Sequence, residues 1–143
     1  MKNVDKGLGQ WAVIDIETTG VDPAQDDIID VGFLQFEGTQ LVRRHSSLVR
    51  SEHQLSQFIQ KLTGIRQQDI QKAPVWSSVE TEVQDLYGHT LVAHNVDFER
   101  SFLESSFECI ADGSSREQYE DSLYMLGVLA PWESSLKLEN FLT

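Results

Sequence analysis

One hexapeptide, Asp15-Ile16-Glu17-Thr18-Thr19-Gly20, constrains this chain more than any other stretch in it. An apolar strand, Trp11-Ala12-Val13-Ile14, runs directly into it. Strand residues two apart project from the same face, so Asp15 and Glu17 stand side by side. No basic residue lies within the hexapeptide to neutralise them. Adjacent carboxylates at the end of a buried strand repel each other, and apolar surroundings make ionising both more costly. Two readings follow from the residues alone. Either the pair is half of a site for a hard divalent cation such as Mg²⁺ or Mn²⁺, which prefers carboxylate oxygen, or both side chains are simply solvated at a strand end.

The rest of the chain supplies a frame for that strand. Residues 1–10 read as a loose polar leader. Gly20, Pro23 and Gln25-Asp26-Asp27 make a loop. Ile28 to Phe36 reads as a second strand, and Glu37-Gly38-Thr39 as the turn into a third, from about Gln40 to Val49. Helical spacing begins near Gln54: Leu55, Phe58, Ile59 and Leu62 fall on one face, with Gly64 as the stop. A connector leads to a second helix carrying Val75, Trp76, Val79, Val83, Leu86 and Tyr87, stopped by Gly88. Thr90 to Ala93 is a short strand. Asn95 is the expected N-cap of a helix with Phe98, Phe102, Leu103 and Phe107. After a polar loop at Asp112 to Ser115, the pattern predicts a fifth strand at Tyr119 to Ser122, a helix from Leu123 to Leu129, and a last helix starting at Leu136. A meander followed by strands alternating with helices predicts an α/β domain, a mixed sheet flanked by helices.

Composition narrows the function classes. The 143 residues suffice for one domain with a sizeable core. A net charge of −12 argues against coating nucleic acid or an anionic membrane by bulk electrostatics, though not against gripping one strand end through metal ions. The lone Cys109 excludes an internal disulfide and suits a reducing compartment. The leader lacks the apolar core of a signal peptide, and no run approaches the ~18 apolar residues of a membrane span. A cytoplasmic protein without membrane contact is expected.

A second acidic stretch, His94-Asn95-Val96-Asp97-Phe98-Glu99, sits where a short strand hands over to a helix, a usual position for ligand-binding groups. On its own it also reads as ordinary helix-start chemistry, because acids favour a helix N-terminus. Taken in order with the first hexapeptide, with Ile28-Ile29-Asp30-Val31-Gly32, with Leu62-Thr63-Gly64-Ile65 and Ala73-Pro74, and with Asp121-Ser122-Leu123 and Leu129-Ala130-Pro131, it makes the chain resemble the DEDD (DnaQ-like) 3′–5′ exonucleases. The resemblance covers nearly the whole chain. It implies a ribonuclease-H-like mixed five-stranded sheet flanked by helices. It also implies hydrolysis at nucleic-acid 3′ ends through two Mg²⁺ or Mn²⁺ ions, with DNA, most readily single-stranded, favoured over RNA. Carried over residue by residue, Asp15, Glu17 and Glu99 would be catalytic metal ligands. Thr18, Thr19, Gly64, Asn95 and Phe98 would border the terminal nucleotide.

Two departures from the family pattern qualify this. Its second motif ends Phe-Asp, where this chain has Phe98-Glu99, and Asp97 lies on a different side of the helix. Its third motif, a His followed a few residues on by an Asp, is absent: no His follows His94, and only Asp112 and Asp121 follow Glu99. The expectation is therefore a single exonuclease-like domain over residues 1–143, truncated before the family's last helix. It would be an N-terminal module of a helicase- or polymerase-type protein, inactive or weak in this form. The alternative is an inactive module of the same fold that binds a protein partner or a nucleic-acid end. His45, His53 and His89 lack metal-ligand spacing and read as surface or packing residues. Trp11, Trp76 and Trp132 read as core or helix-face residues.

Overall fold

The computed structural model describes residues 9–107 and 119–137. Five strands form one sheet: β1 (Gln10–Thr18), β2 (Ile28–Glu37), β3 (Gln40–Leu48), β4 (Thr90–Ala93) and β5 (Tyr119–Asp121). Their order is β3-β2-β1-β4-β5. The first three run antiparallel, whereas β4 pairs parallel with β1 and β5 parallel with β4. The expected mixed sheet is present, with the hexapeptide strand at its centre. Helices are α1 (Gln57–Thr63), α2 (Gln67–Gln71), α3 (Trp76–Gln84), α4 (Asp97–Ser106) and α5 (Ser122–Leu129). None is long and apolar enough to cross a membrane.

Alternation in β1 divides the sheet into two unlike faces. Ala12, Ile14, Ile16 and Thr18 point to one side and are buried. There they join Val31, Phe33, Leu91 and Ala93, and are covered by Val79, Val83 and Leu86 and by Phe102 and Leu103 of α4. Each such side chain contributes roughly 1.5–3 kcal/mol on burial. Val13, Asp15 and Glu17 point to the other side. Val13 lies opposite Leu34 and beside Val92, and Val13 and Leu34 remain 37% and 40% exposed.

A bulge lies where the acidic end of β1 begins. Glu17 pairs with Asp30 but Thr18 pairs with Ile28, so Ile29 is the extra residue. The bulge explains how two consecutive isoleucines are both buried. Ile28 enters the main core, and Ile29 enters a second, smaller one with Leu55, Ile65 and Ile70.

Several expected details change. Leu55 precedes α1 instead of belonging to it, and the helix buries none of its own residues. Ile59 packs at the edge of the second core, but Phe58 and Leu62 are 70% and 67% exposed, because seven residues are too few to wrap a full apolar face inward. The connector after Gly64 contains α2, whose start is locked by Arg66 and Asp69. Val75 and Trp132 are exposed, not core residues. The polar loop at Asp112 to Ser115 lies outside the described residues, as does most of the expected last helix, and Leu136 and Lys137 are not helical.

Candidate active site

Asp15 and Glu17 leave β1 on the face opposite the main core, as their spacing requires. Across the β1–β2 ladder Glu17 faces Asp30, and Asp15 faces Gly32, which presents no side chain. Burial raises the pKa of Asp15 above the usual carboxylate range. Glu17 is raised by burial first, then by the charges of Asp15 and Asp30. Asp30 is raised by burial and by Asp15, although the Val31 amide opposes the shift.

Glu99 comes to the same region from the first turn of α4, which starts directly beyond β4. It is only 4% exposed, and its Oε2 has no hydrogen-bond partner among the described residues. Its pKa is pushed up to about 7, first by burial, with its own backbone amide opposing and with Asp15, Asp121 and Glu17 adding to the rise. Asp97 goes elsewhere: it is exposed and paired with Arg100 at 2.6 Å. Thus the structure brings Asp15, Glu17 and Glu99 within electrostatic reach of one another and separates Asp97 from them. It adds Asp30 and Asp121, to which the sequence reading gave no role. The register opposite Glu17 is the signal that marks Asp30.

Asp121 also holds the junctions together. Its Oδ1 accepts from the Asn95 amide at 3.0 Å and from the Leu123 amide at 2.8 Å, tying the end of β4 to the start of α5. Beside it, His94 Nδ1 and Ser122 Oγ lie 3.1 Å apart. Asn95 is not the N-cap that was expected. Val96 occupies that position, and Asn95 turns the chain with a φ of 68°, a region Asn tolerates better than most residues. Phe98 is half-buried against Phe102, with ring centroids 5.1 Å apart.

The loop after Glu17 is fixed by its own polar groups. Thr18 is buried and its hydroxyl donates to the Gly20 carbonyl. Thr19 Oγ1 donates to Asp26 at 3.0 Å, accepts from the Asp27 amide at 3.0 Å and lies 3.2 Å from His53 Nδ1. A hydroxyl has one proton to give, so His53 Nδ1 must donate here. The remaining predicted contact, Gly64, is the left-handed C-cap of α1 at φ 76° and is exposed.

The donor set suits a hard divalent cation: carboxylate oxygens, one of them buried without a partner, all pushed toward protonation by burial, with like charge adding at Glu17 and Glu99. Among the described residues no three His, Cys, Asp or Glu side chains converge closely enough to hold an ion.

Comparison with known proteins bears on the family and the fold. The RNase T exonuclease family matches residues 12–125. The 3′–5′ exonuclease DinG of Staphylococcus aureus is 32% identical over 133 residues. That match takes in 92% of this chain but only 15% of the relative's length. The zinc-bound complex of Escherichia coli exonuclease I with single-stranded DNA superposes with a TM-score of 0.75 at 15% identity, covering 93% of this chain and 34% of that one. Exonuclease X in complex with 5′-overhanging duplex DNA gives 0.62 at 22% identity, covering 85% and 64%. The fold is the ribonuclease-H-like fold of these exonucleases.

Proposed function

This chain belongs to the RNase T exonuclease family, and from that premise we propose that it is a 3′–5′ exonuclease module of a longer polypeptide. It hydrolyses phosphodiester bonds at 3′ ends, of single-stranded DNA before RNA. The observation that carries the proposal is Glu99: a buried carboxylate with a free oxygen, facing the charges of Asp15, Glu17 and Asp121. Such a group is stable as an acid or beside a cation, and not otherwise.

Asp15, Glu17 and Glu99 would hold the metal, Mg²⁺ or Mn²⁺. Bound in such a site, two divalent ions activate water and stabilise the leaving oxygen of a phosphodiester. Asp30 adds negative charge beside Glu17, and Asp121 holds Asn95 and the start of α5 in place. The backbone at Thr18 and Thr19, the turn at Gly64, Asn95 and the half-exposed ring of Phe98 border the terminal nucleotide. The resemblance assigns the remaining carboxylate and the general base to a further helix. The open apolar rows of Val13, Leu34 and Val92, on the face that carries Asp15, favour such an element covering that side. Asp15→Ala in the full-length protein removes hydrolysis of a 3′-labelled single strand while circular dichroism and the thermal midpoint stay native. Retained cleavage by that variant sinks the proposal.

A second reading has an observation in its favour: the longer Glu99 where the family has Asp, together with the separation of the carboxylates. On that reading the fold serves as an inactive docking module. Calorimetric titration with Mn²⁺ decides between them. Stoichiometric uptake that disappears in Glu17→Ala belongs to the enzyme, and no uptake by the full-length protein belongs to the docking module.

A further inference from the structure

Between Glu17 and Thr18 the pairing of β1 with β2 slips at the bulge, so the ladder is disrupted directly beside a carboxylate of the site. The next fixed point along the backbone is Thr19. Its amide donates to the Asp27 carbonyl at 2.9 Å, and its hydroxyl accepts from the Asp27 amide at 3.0 Å. These two bonds close the loop onto itself. A third contact on Thr19 comes from outside the loop: His53 Nδ1, 3.2 Å from the hydroxyl oxygen. The single hydroxyl proton goes to the Asp26 carboxylate, so the ring supplies the proton of this bond.

The backbone of His53 is held on both sides. Its amide donates to the buried Ser51 hydroxyl at 3.0 Å, and that hydroxyl donates to Asp27 Oδ2 at 2.6 Å. Its carbonyl accepts from Gln67 Nε2 at 3.1 Å, while Gln67 Oε1 accepts from the amide of Leu55, a residue of the second core, at 2.7 Å. A ring on a backbone anchored in this way restrains the hydroxyl it meets. The hydrogen bond a histidine makes sets which ring nitrogen carries the proton. Here that nitrogen is Nδ1, whereas a neutral histidine free in water carries its proton mostly on Nε2.

We propose that His53 is a positioning residue for 3′-end hydrolysis: its Nδ1–H holds Thr19, and with it the backbone that runs back across the bulge to Glu17. His53 acts through Thr19 and not on the phosphodiester. The inference rests on the exonuclease reading and extends it to what keeps Glu17 in place where the ladder does not. Its test uses the full-length protein with His53→Ala, His53→Gln and His53→Asn. Asparagine places a donor where Nδ1 stands, and glutamine reaches instead to the place of Nε2. The side chain is 45% exposed and belongs to neither core, so the variants keep the fold, which circular dichroism checks.

Hydrolysis of a single-stranded oligonucleotide is read with Mn²⁺. His53→Ala and His53→Gln lower kcat about tenfold and leave KM, because a small misplacement at the reacting centre is costly. His53→Asn stays within about twofold of the parent. No loss in His53→Ala, an equal loss in His53→Asn, or a loss confined to KM overturns the inference and leaves the exonuclease reading intact. A second arm needs neither metal nor cleavage. Nitrogen NMR of ¹⁵N-labelled histidine rings, at about pH 9 where histidine is neutral, finds the His53 proton on Nδ1, the signal being assigned by its loss in His53→Ala. A proton on Nε2 overturns the inference. Absence of hydrolysis by the parent overturns the exonuclease reading, and the ring signal still decides whether His53 holds Thr19.

Discussion

Glu99 sits in a position that favours its protonated form. Its pKa, pushed up to about 7, lies well above the 4.5 of an unperturbed glutamate, and burial and like charge are the causes. Between those two values the folded protein binds more protons than the unfolded chain, so stability contributed by this group falls as pH rises. Glu17, Asp15 and Asp30 shift in the same direction. The metal-free protein therefore has its highest thermal midpoint on the acid side and loses stability up to about pH 7. A divalent ion held there, as proposed, would reverse the trend, because it would bind the ionised carboxylates. Mn²⁺ should raise the midpoint more at pH 8 than at pH 5.5. In Glu99→Gln the metal-free midpoint at pH 8 rises, its pH dependence flattens and the Mn²⁺ effect shrinks. Scanning calorimetry of both proteins across that range checks all three outcomes.

At the scale of elements, the loop after β1 is set by contacts at close quarters. A side chain at Gly20 would collide with the Asp26 carboxylate, which otherwise accepts from Thr19 and from the Asp22 amide at 2.9 Å. Gly20→Ala pushes Asp26 out, frees the Thr19 hydroxyl and shifts the loop beside the carboxylates. It should cost at least tenfold in kcat/KM for 3′-end cleavage, since small misplacements at a reacting centre are costly, with the main core still intact by near-ultraviolet circular dichroism. Elements were also where the sequence was read most unevenly. The succession of strands along the chain was legible from apolar runs and turn residues, and the shared face of Asp15 and Glu17 from alternation, both properties of the residues themselves. The side of α1 was not: Leu55, Phe58, Ile59 and Leu62 have helical spacing, but the helix starts after the buried Leu55, and of the three within it only Ile59 meets a core. Asn95 has the chemistry of an N-cap, yet its amide is taken by Asp121 from across the sheet, a partner no local pattern reveals. Asp30 became part of the site only through the register of β2 on β1.

At the scale of the molecule, the described residues form two hydrophobic cores of unequal size, joined at one bulge. The main core gathers buried residues from β1, β2 and β4 and from α3 and α4, whereas the smaller one rests on Ile29, Leu55, Ile65 and Ile70. Regions with few buried contacts open at lower free energy than the global unfolding reaction. Hydrogen exchange should show the α1 and α2 amides exchanging well ahead of those of β1 and β2. Equal protection across both would mean the two cores unfold as one. An independent opening would have a kinetic meaning for a module that, as proposed, shortens a polymer from its end. Between cuts the polymer must slip forward by one unit, which requires loosening whatever grips it while the cutting groups stay assembled. In the proposed module a small core beside a large one would work as a ratchet pawl beside a fixed blade, releasing and re-engaging at each step without the blade losing its edge.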